Sequence, residues 1–341
     1  MVSVVIAPDS FKGGISATAA AEAIAEGWLS VRPLDDVVRL PQADGGEGTL
    51  EAIAASIPGA RRRSAGQVTG PDGRQTAGEW IALPDGTAAV ELAQCSGLPL
   101  MLAPDPIGAT TFGLGEVIRA ALASGATRLM IGLGGSASTD GGLGALKALG
   151  LRLDDCRRDL SELVPPPPGG VELLTDVNAP LLGPEGAAAV FAPQKGADAA
   201  QVARLEAALA QFAGLMGGDP DQPGAGAAGG AGYGFATVWN ATITPGASRI
   251  AELTGLSALT GSADILLTGE GRFDATSLRG KVVGEALAAT SATVGVIAGT
   301  IELDPGCWSV SLSELADSVE AAKQHPERWL RLAGARAARE L

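Results

Sequence analysis

Several short segments of the chain set carboxylates, hydroxyls, cations and glycines side by side. They are Pro8-Asp9-Ser10-Phe11-Lys12-Gly13, Asp44-Gly45-Gly46-Glu47-Gly48-Thr49, GGSASTDGG at 134–142 and TGEGRFD at 268–274. Such a set suits an anionic, phosphorylated ligand with a divalent metal. Glycine lets backbone amides approach phosphate oxygens, a following helix N-terminus adds a favourable dipole, and carboxylates hold Mg²⁺ while Lys or Arg balances charge. Lys12, Lys195 and Lys281 each sit beside a glycine, where a cation meets phosphate close to backbone N–H groups. The run GAGAAGGAG at 224–232 is a further candidate cradle. Each cluster taken singly also fits tight turns between strands and helices, and Asp9 and Glu47 could each cap a helix.

Counting residue types removes other chemistries. The only histidine is His325, which excludes a histidine-based triad and a His-rich metal site. Cys95, Cys156 and Cys307 are far apart without a CxxC spacing, as expected in a reducing, cytoplasmic setting. Against 24 Lys and Arg stand 38 Asp and Glu, a net charge of −14 that disfavours nucleic acid and anionic membranes as partners. The opening residues MVSVVIAPDS lack the basic and long apolar regions of a signal peptide, and no apolar run reaches the ~20 residues of a membrane span.

The elements that must position these groups are short and apolar. Runs at 2–7, 37–40, 88–92, 128–133, 265–268 and 294–298 have strand length and little alternation, the pattern of parallel strands buried on both faces. Between them lie helical stretches. Residues 198–216 repeat Val202, Leu205, Leu209 and Phe212 behind Asp198 as N-cap, a second helix starts at Ser311 with Glu314 completing an S-x-x-E box, and a third starts at Pro326. PPPPGG at 165–170 reads as a stiff connector.

Alternation of this kind predicts an α/β fold with a mostly parallel sheet, and 341 residues suffice for two such domains. Since ligands bind beyond the carboxyl ends of parallel strands, the polar segments should gather at one crevice. Gly132-x-Gly134-x-x-Ala137, with Asp154 and Asp155 further on, and Gly224-x-Gly226-x-x-Gly229 match a dinucleotide fingerprint in glycines alone. Asp140-Gly141-Gly142 would disturb the helix that such a motif requires, and the second match follows a loop-like stretch. The chain also lacks a GxxxxGK[ST] phosphate loop.

In order along the chain, APDSFKGGISA (7–17), ADGGEGT (43–49), VTGPDG (68–73), GLGGSASTDGG (132–142), FAPQKGA (191–197), PGAGAAGGAG (223–232) and TGEGRFD (268–274) with GKV (280–282) resemble the bacterial glycerate kinase family that includes the glycerate 2-kinases. The resemblance spans almost the whole chain. It implies ATP- and Mg²⁺-dependent phosphorylation of D-glycerate, most simply at the 2-hydroxyl, on a two-domain α/β fold with its active site in the interdomain crevice. One domain would be flavodoxin- or Rossmann-like and built from both chain ends, residues 1–62 plus 245–341, with an inserted α/β domain at 63–244. Two positions depart from the family pattern, Thr139 and Ala179, where asparagine is usual.

With that activity in view, Lys12, Ser10 and Arg272, with Asp9 beside them, are candidates to meet substrate or the transferring phosphate. Asp44 or Asp176 would accept the proton, and Glu270 and Asp274 would hold Mg²⁺. Nucleotide phosphates would fall to Ser136, Ser138, Lys195, Lys281 and the glycines Gly224, Gly226, Gly229 and Gly230. Residue chemistry leaves open phosphorylation at the 3-hydroxyl, a ligand sensor without activity, a nicotinamide-dependent hydroxy-acid oxidoreductase, and homo-oligomer formation.

Overall fold

The structure is a computed structural model that describes residues 1–153, 157–278 and 280–341; Asp154, Asp155 and Cys156 lie outside the described residues. The chain divides into two compact units: Met1–Asp44, Glu51–Pro58 and Ala247–Leu341 form the first, Gly45–Leu50 and Gly59–Gly246 the second.

In the first unit five parallel strands lie in the order Trp308–Ser311, Thr293–Ile301, Ile265–Phe273, Ser3–Pro8, Asp36–Arg39. By chain position this is the flavodoxin-like order 2-1-3-4-5, whose winding reverses between the first and third strands. The expected α/β class is therefore what the chain adopts. Val4, Ile6, Ile265 and Leu267 bury one face of the sheet under the helices Ala17–Val31 and Pro326–Glu340. Val5, Ala7 and Leu266 bury the other against Leu40, Leu256 and Ala286. Both faces being covered explains why these strands read as unbroken apolar runs. The two helices meet backbone to backbone: a Cβ on Gly27 would collide with the carbonyl of Arg331, and one on Gly334 with that of Ile24.

Two expectations need correction here. The third strand does not stop at Thr268 but runs through the polar TGEGRF residues to Phe273, pairing with Thr293–Ile301 throughout. The helix at Ser311 is the single turn Leu312–Leu315, and no capping bond forms. Ser311 is the last residue of an edge strand, so its Oγ faces the neighbouring strand and donates to the Gly299 carbonyl at 3.3 Å.

The second unit holds a six-stranded sheet in the order Thr242–Thr244, Val171–Leu174, Arg128–Gly132, Thr87–Glu91, Gln75–Ala82, Arg61–Thr69. The first four strands are parallel and the last two are added antiparallel. Arg61, Arg62 and Arg63 open an exposed outer strand, which escapes a search for apolar runs. Helix Ala199–Met216 forms as expected, with a reciprocal box between Asp198 and Gln201, and buries Leu205, Leu209 and Phe212. Among the described residues no helix is long and apolar enough to cross a membrane.

Candidate active site

The polar segments of the first unit meet where the strand order reverses. Ser3–Pro8 pairs with Ile265–Phe273 only as far as Pro8 and Gly269. Beyond that point Glu270, Gly271 and Arg272 have lost their neighbour on that side, and the turn that follows Pro8 folds beside them. The turn is closed by Phe11 N–H to Ile15 O at 2.9 Å and Gly14 N–H to Phe11 O at 2.8 Å. Ser16 then caps the Ala17–Val31 helix, accepting from Ala19 N–H and donating to Glu51. Gly271 is packed under Phe11 and Lys12, which keeps the extended strand and the turn in contact.

A cavity of ≈ 410 Å³ opens at this junction. Asp9, Ser10, Lys12, Asp44, Glu270, Arg272, Asp274 and Lys281 all line it, so eight of the expected site residues share one site. Asp9 caps no helix. It is 8% exposed, takes the neighbouring Ser10 N–H at 2.6 Å, and its carboxyl is pushed up to about 7 by burial and by the Asp44 carboxylate, against the opposing pull of Ser10 and Lys12. Burial likewise raises Glu270. Asp274 is held low by two bonds from Thr276 and by the Arg272 guanidinium 3.1 Å away. Ser10 Oγ and Glu270 Oε1 are buried without a hydrogen-bond partner among the described residues.

Other expected site residues lie in the second unit. Lys195 is 3% exposed and donates to Ser136 Oγ at 2.8 Å and to the Ser138 carbonyl at 2.5 Å. Burial lowers its pKa to about 8. The hydroxyls of Ser138 and Thr139 are buried without partners among the described residues. Asp140 accepts from the Thr111 backbone and hydroxyl and from the Gly142 and Gly144 N–H groups, ahead of the helix Leu143–Ala148. Asp176 takes the Gly246 N–H at 2.7 Å. Gly226 gives its N–H to the Ala179 carbonyl, and a Cβ there would strike Pro180 O. Gly229 and Gly230 have positive φ inside a kinked helix start and lie against Ser138, Gly141 and Leu181, while Gly224 lies against Ile243. These glycines admit neighbouring backbone and side chains at close range. The nicotinamide motif finds no support, because residues 133–142 separate the strand Arg128–Gly132 from the next helix.

One carboxylate absent from the expected set is Glu91. It is 1% exposed and accepts from Gly48 N–H at 3.2 Å and Leu50 N–H at 3.0 Å, fixing the loop of the ADGGEGT segment. Gly45, at φ +85°, completes that fixation by lying against Leu174 with its carbonyl accepting from Gly134 N–H. Its position at the carboxyl end of a buried strand is the signal that would have found Glu91.

Among the described residues no three His, Cys, Asp or Glu side chains are grouped to hold a metal unaided. The donors at the first-unit cavity are all oxygens, which suits a hard cation such as Mg²⁺ that keeps waters and phosphate oxygens in its shell.

The model of the glycerate kinase family matches residues 4–341. The glycerate kinase of Bacillus subtilis strain 168 is 41% identical over 331 residues, covering 89% of this chain and 86% of that protein. The glycerate 2-kinase of Escherichia coli K12 is 39% identical over 306 residues, covering 82% and 80%. A crystal structure of a protein assigned as glycerate kinase 2 from Salmonella typhimurium LT2 superposes with a TM-score of 0.81 at 34% identity, over 99% of this chain and 97% of that one. With the family model matching from the first strand to the last residue, the chain belongs to the glycerate kinase family and is a kinase.

Proposed function

We propose that this kinase transfers the terminal phosphoryl group of ATP, with Mg²⁺, to the 2-hydroxyl of D-glycerate. The observation that carries the reading is the cavity at the sheet's reversal point, where Asp9, Asp44, Glu270 and Asp274 face Lys12, Arg272 and Lys281. Phosphoryl transfer asks a protein for positioning and charge stabilisation more than for covalent chemistry, and this lining offers both. MgATP supplies the electrophilic phosphorus and neutralises part of the developing charge. Lys12 and Arg272 balance the remaining negative charge on the phosphoryl oxygens, and the unpartnered Ser10 hydroxyl donates to the substrate. Glu270 and Asp274 would hold the metal, and the bare Glu270 Oε1 fits that task. Asp44, which shares the cavity with Lys12, takes the hydroxyl proton; Asp176 belongs to the other unit. A cytoplasmic setting accords with free Cys95 and Cys307.

Phosphorus NMR of the protein with D-glycerate, ATP and Mg²⁺ tests the reaction. A new phosphomonoester signal that coincides with added 2-phosphoglycerate is expected. Coincidence with 3-phosphoglycerate would reassign the acceptor hydroxyl, and no signal from folded protein would reject D-glycerate as the acceptor.

A further inference from the structure

The first-unit cavity is larger and less polar than glycerate requires. Its volume of ≈ 410 Å³ falls in the range of pockets that enclose drug-sized molecules, roughly 300–1,000 Å³. Its lining also includes the apolar side chains of Leu312, Val319, Ala322 and Pro326, with Lys323 among them. The carboxylate and two hydroxyls of a three-carbon acid find their partners among the charged lining groups and leave these apolar side chains uncovered. A purine ring gains by burying its faces there.

The topology argues the same way. In a doubly wound sheet of order 2-1-3-4-5 a mononucleotide binds at the reversal point, beyond the carboxyl ends of the first and third strands. Asp9 to Lys12 and Glu270 to Arg272 stand at those two ends. In the second unit, the glycines expected to cradle phosphate accommodate neighbouring backbone and side chains, and Lys195 gives hydrogen bonds to Ser136 and Ser138.

We propose that the nucleoside of the phosphoryl donor binds in the first unit, against Leu312, Val319, Ala322 and Pro326, with its phosphates toward Lys12, Arg272 and Lys281. This rests on the kinase reading above and names the unit that holds its nucleotide. It assigns the nucleoside to first-unit residues in place of Ser136, Ser138 and Lys195 of the second unit.

Photolabelling the full-length protein with 8-azido-ADP and mapping the modified peptide tests the placement without any substitution. Label within residues 312–326 is expected; label within residues 193–232 would overturn it. Val319 is 38% exposed, so Val319→Glu alters the wall without disturbing buried packing. It should weaken ADP binding about tenfold by titration calorimetry and raise the KM for ATP in proportion, with the KM for glycerate held within about twofold. Unchanged ADP affinity, or a rise confined to the glycerate KM, would overturn the proposal. Both binding measurements read nucleotide without turnover. A protein that takes the label at 312–326 yet makes no phosphoglycerate keeps this inference and loses the glycerate reading, whereas turnover with label elsewhere does the reverse.

Discussion

Lys12 Nζ stands 3.8 Å from Asp44 Oδ2, a cation from the turn after the first strand facing a carboxylate from the segment after the second. The Lys12 side chain is 65% exposed, so the pair contributes little to stability, about 0–1 kcal/mol. Its effect falls on the site. Lys12 also draws down the carboxyls of Asp9 and Glu270. Lys12→Met should therefore leave the melting temperature nearly unchanged while cutting kcat/KM by about 100-fold or more. Loss of the cation raises the Asp9 carboxyl further above about 7, so the acid limb of the pH–rate profile should move to higher pH. An acid limb that stays in place would separate Lys12 from Asp9.

Asp44→Asn distinguishes a proton acceptor from a structural acid. Removal of a general base costs about 10²- to 10⁴-fold in rate. The expected outcome is a fall of that size in kcat, with thermal unfolding close to that of the parent chain. Lost stability comparable to the lost activity would make Asp44 a structural group.

Glu91 predicts a pH dependence of stability with a definite sign. Burial lifts its carboxyl from the ordinary 4.5 to about 7 in the folded chain, although Gly48 and Leu50 donate to it. The folded state therefore binds more protons than the unfolded one between those values. The associated stability is full below about pH 4.5 and is lost as pH rises through about 7, an effect of order 3 kcal/mol at most. Differential scanning calorimetry from pH 5 to 8 should show this decline in the parent chain and a flatter profile in Glu91→Gln, where nothing ionises. Parallel profiles would remove Glu91 as its source.

Much of this was legible in sequence because the buried parallel strands contain almost nothing but apolar residues, and the charged segments begin where those runs end. The cavity residues from Asp9 to Lys12 and from Glu270 to Asp274 were found by that contrast. What was hidden depends on neighbours distant in sequence. Polar Glu270 and Arg272 extend a strand because Thr293–Ile301 runs alongside them, a pairing that no local pattern records. Arg61–Thr69 is a strand without an apolar face to mark it. The glycines at 224–230 read as a phosphate cradle, and their close approach to Ser138, Pro180 and Ile243 is set by neighbours that no local pattern names. Glu91 lies inside the apolar run at 88–92 and reads as part of the strand.

Gly27 and Gly334 give a test of the helix pair that covers one face of the first sheet. Alanine in a helix interior is favoured over glycine by about 1 kcal/mol, so Gly→Ala at an open helical position stabilises. Here the added methyl group meets main-chain atoms: Arg331 O opposite residue 27 and Ile24 O opposite residue 334. Neither obstacle is the end of a flexible side chain, so relief requires the helices to separate and to loosen Trp28, Leu330 and Ala337 beneath them. Overpacking of this kind costs about 1–3 kcal/mol, enough to outweigh the propensity gain. Gly27→Ala and Gly334→Ala should each lower the urea midpoint of unfolding, and the double variant should cost less than the sum, because one separation relieves both collisions. Strict additivity would mean that each methyl group is accommodated locally. A rise in midpoint for either variant would show that the helices have room for a side chain at that crossing.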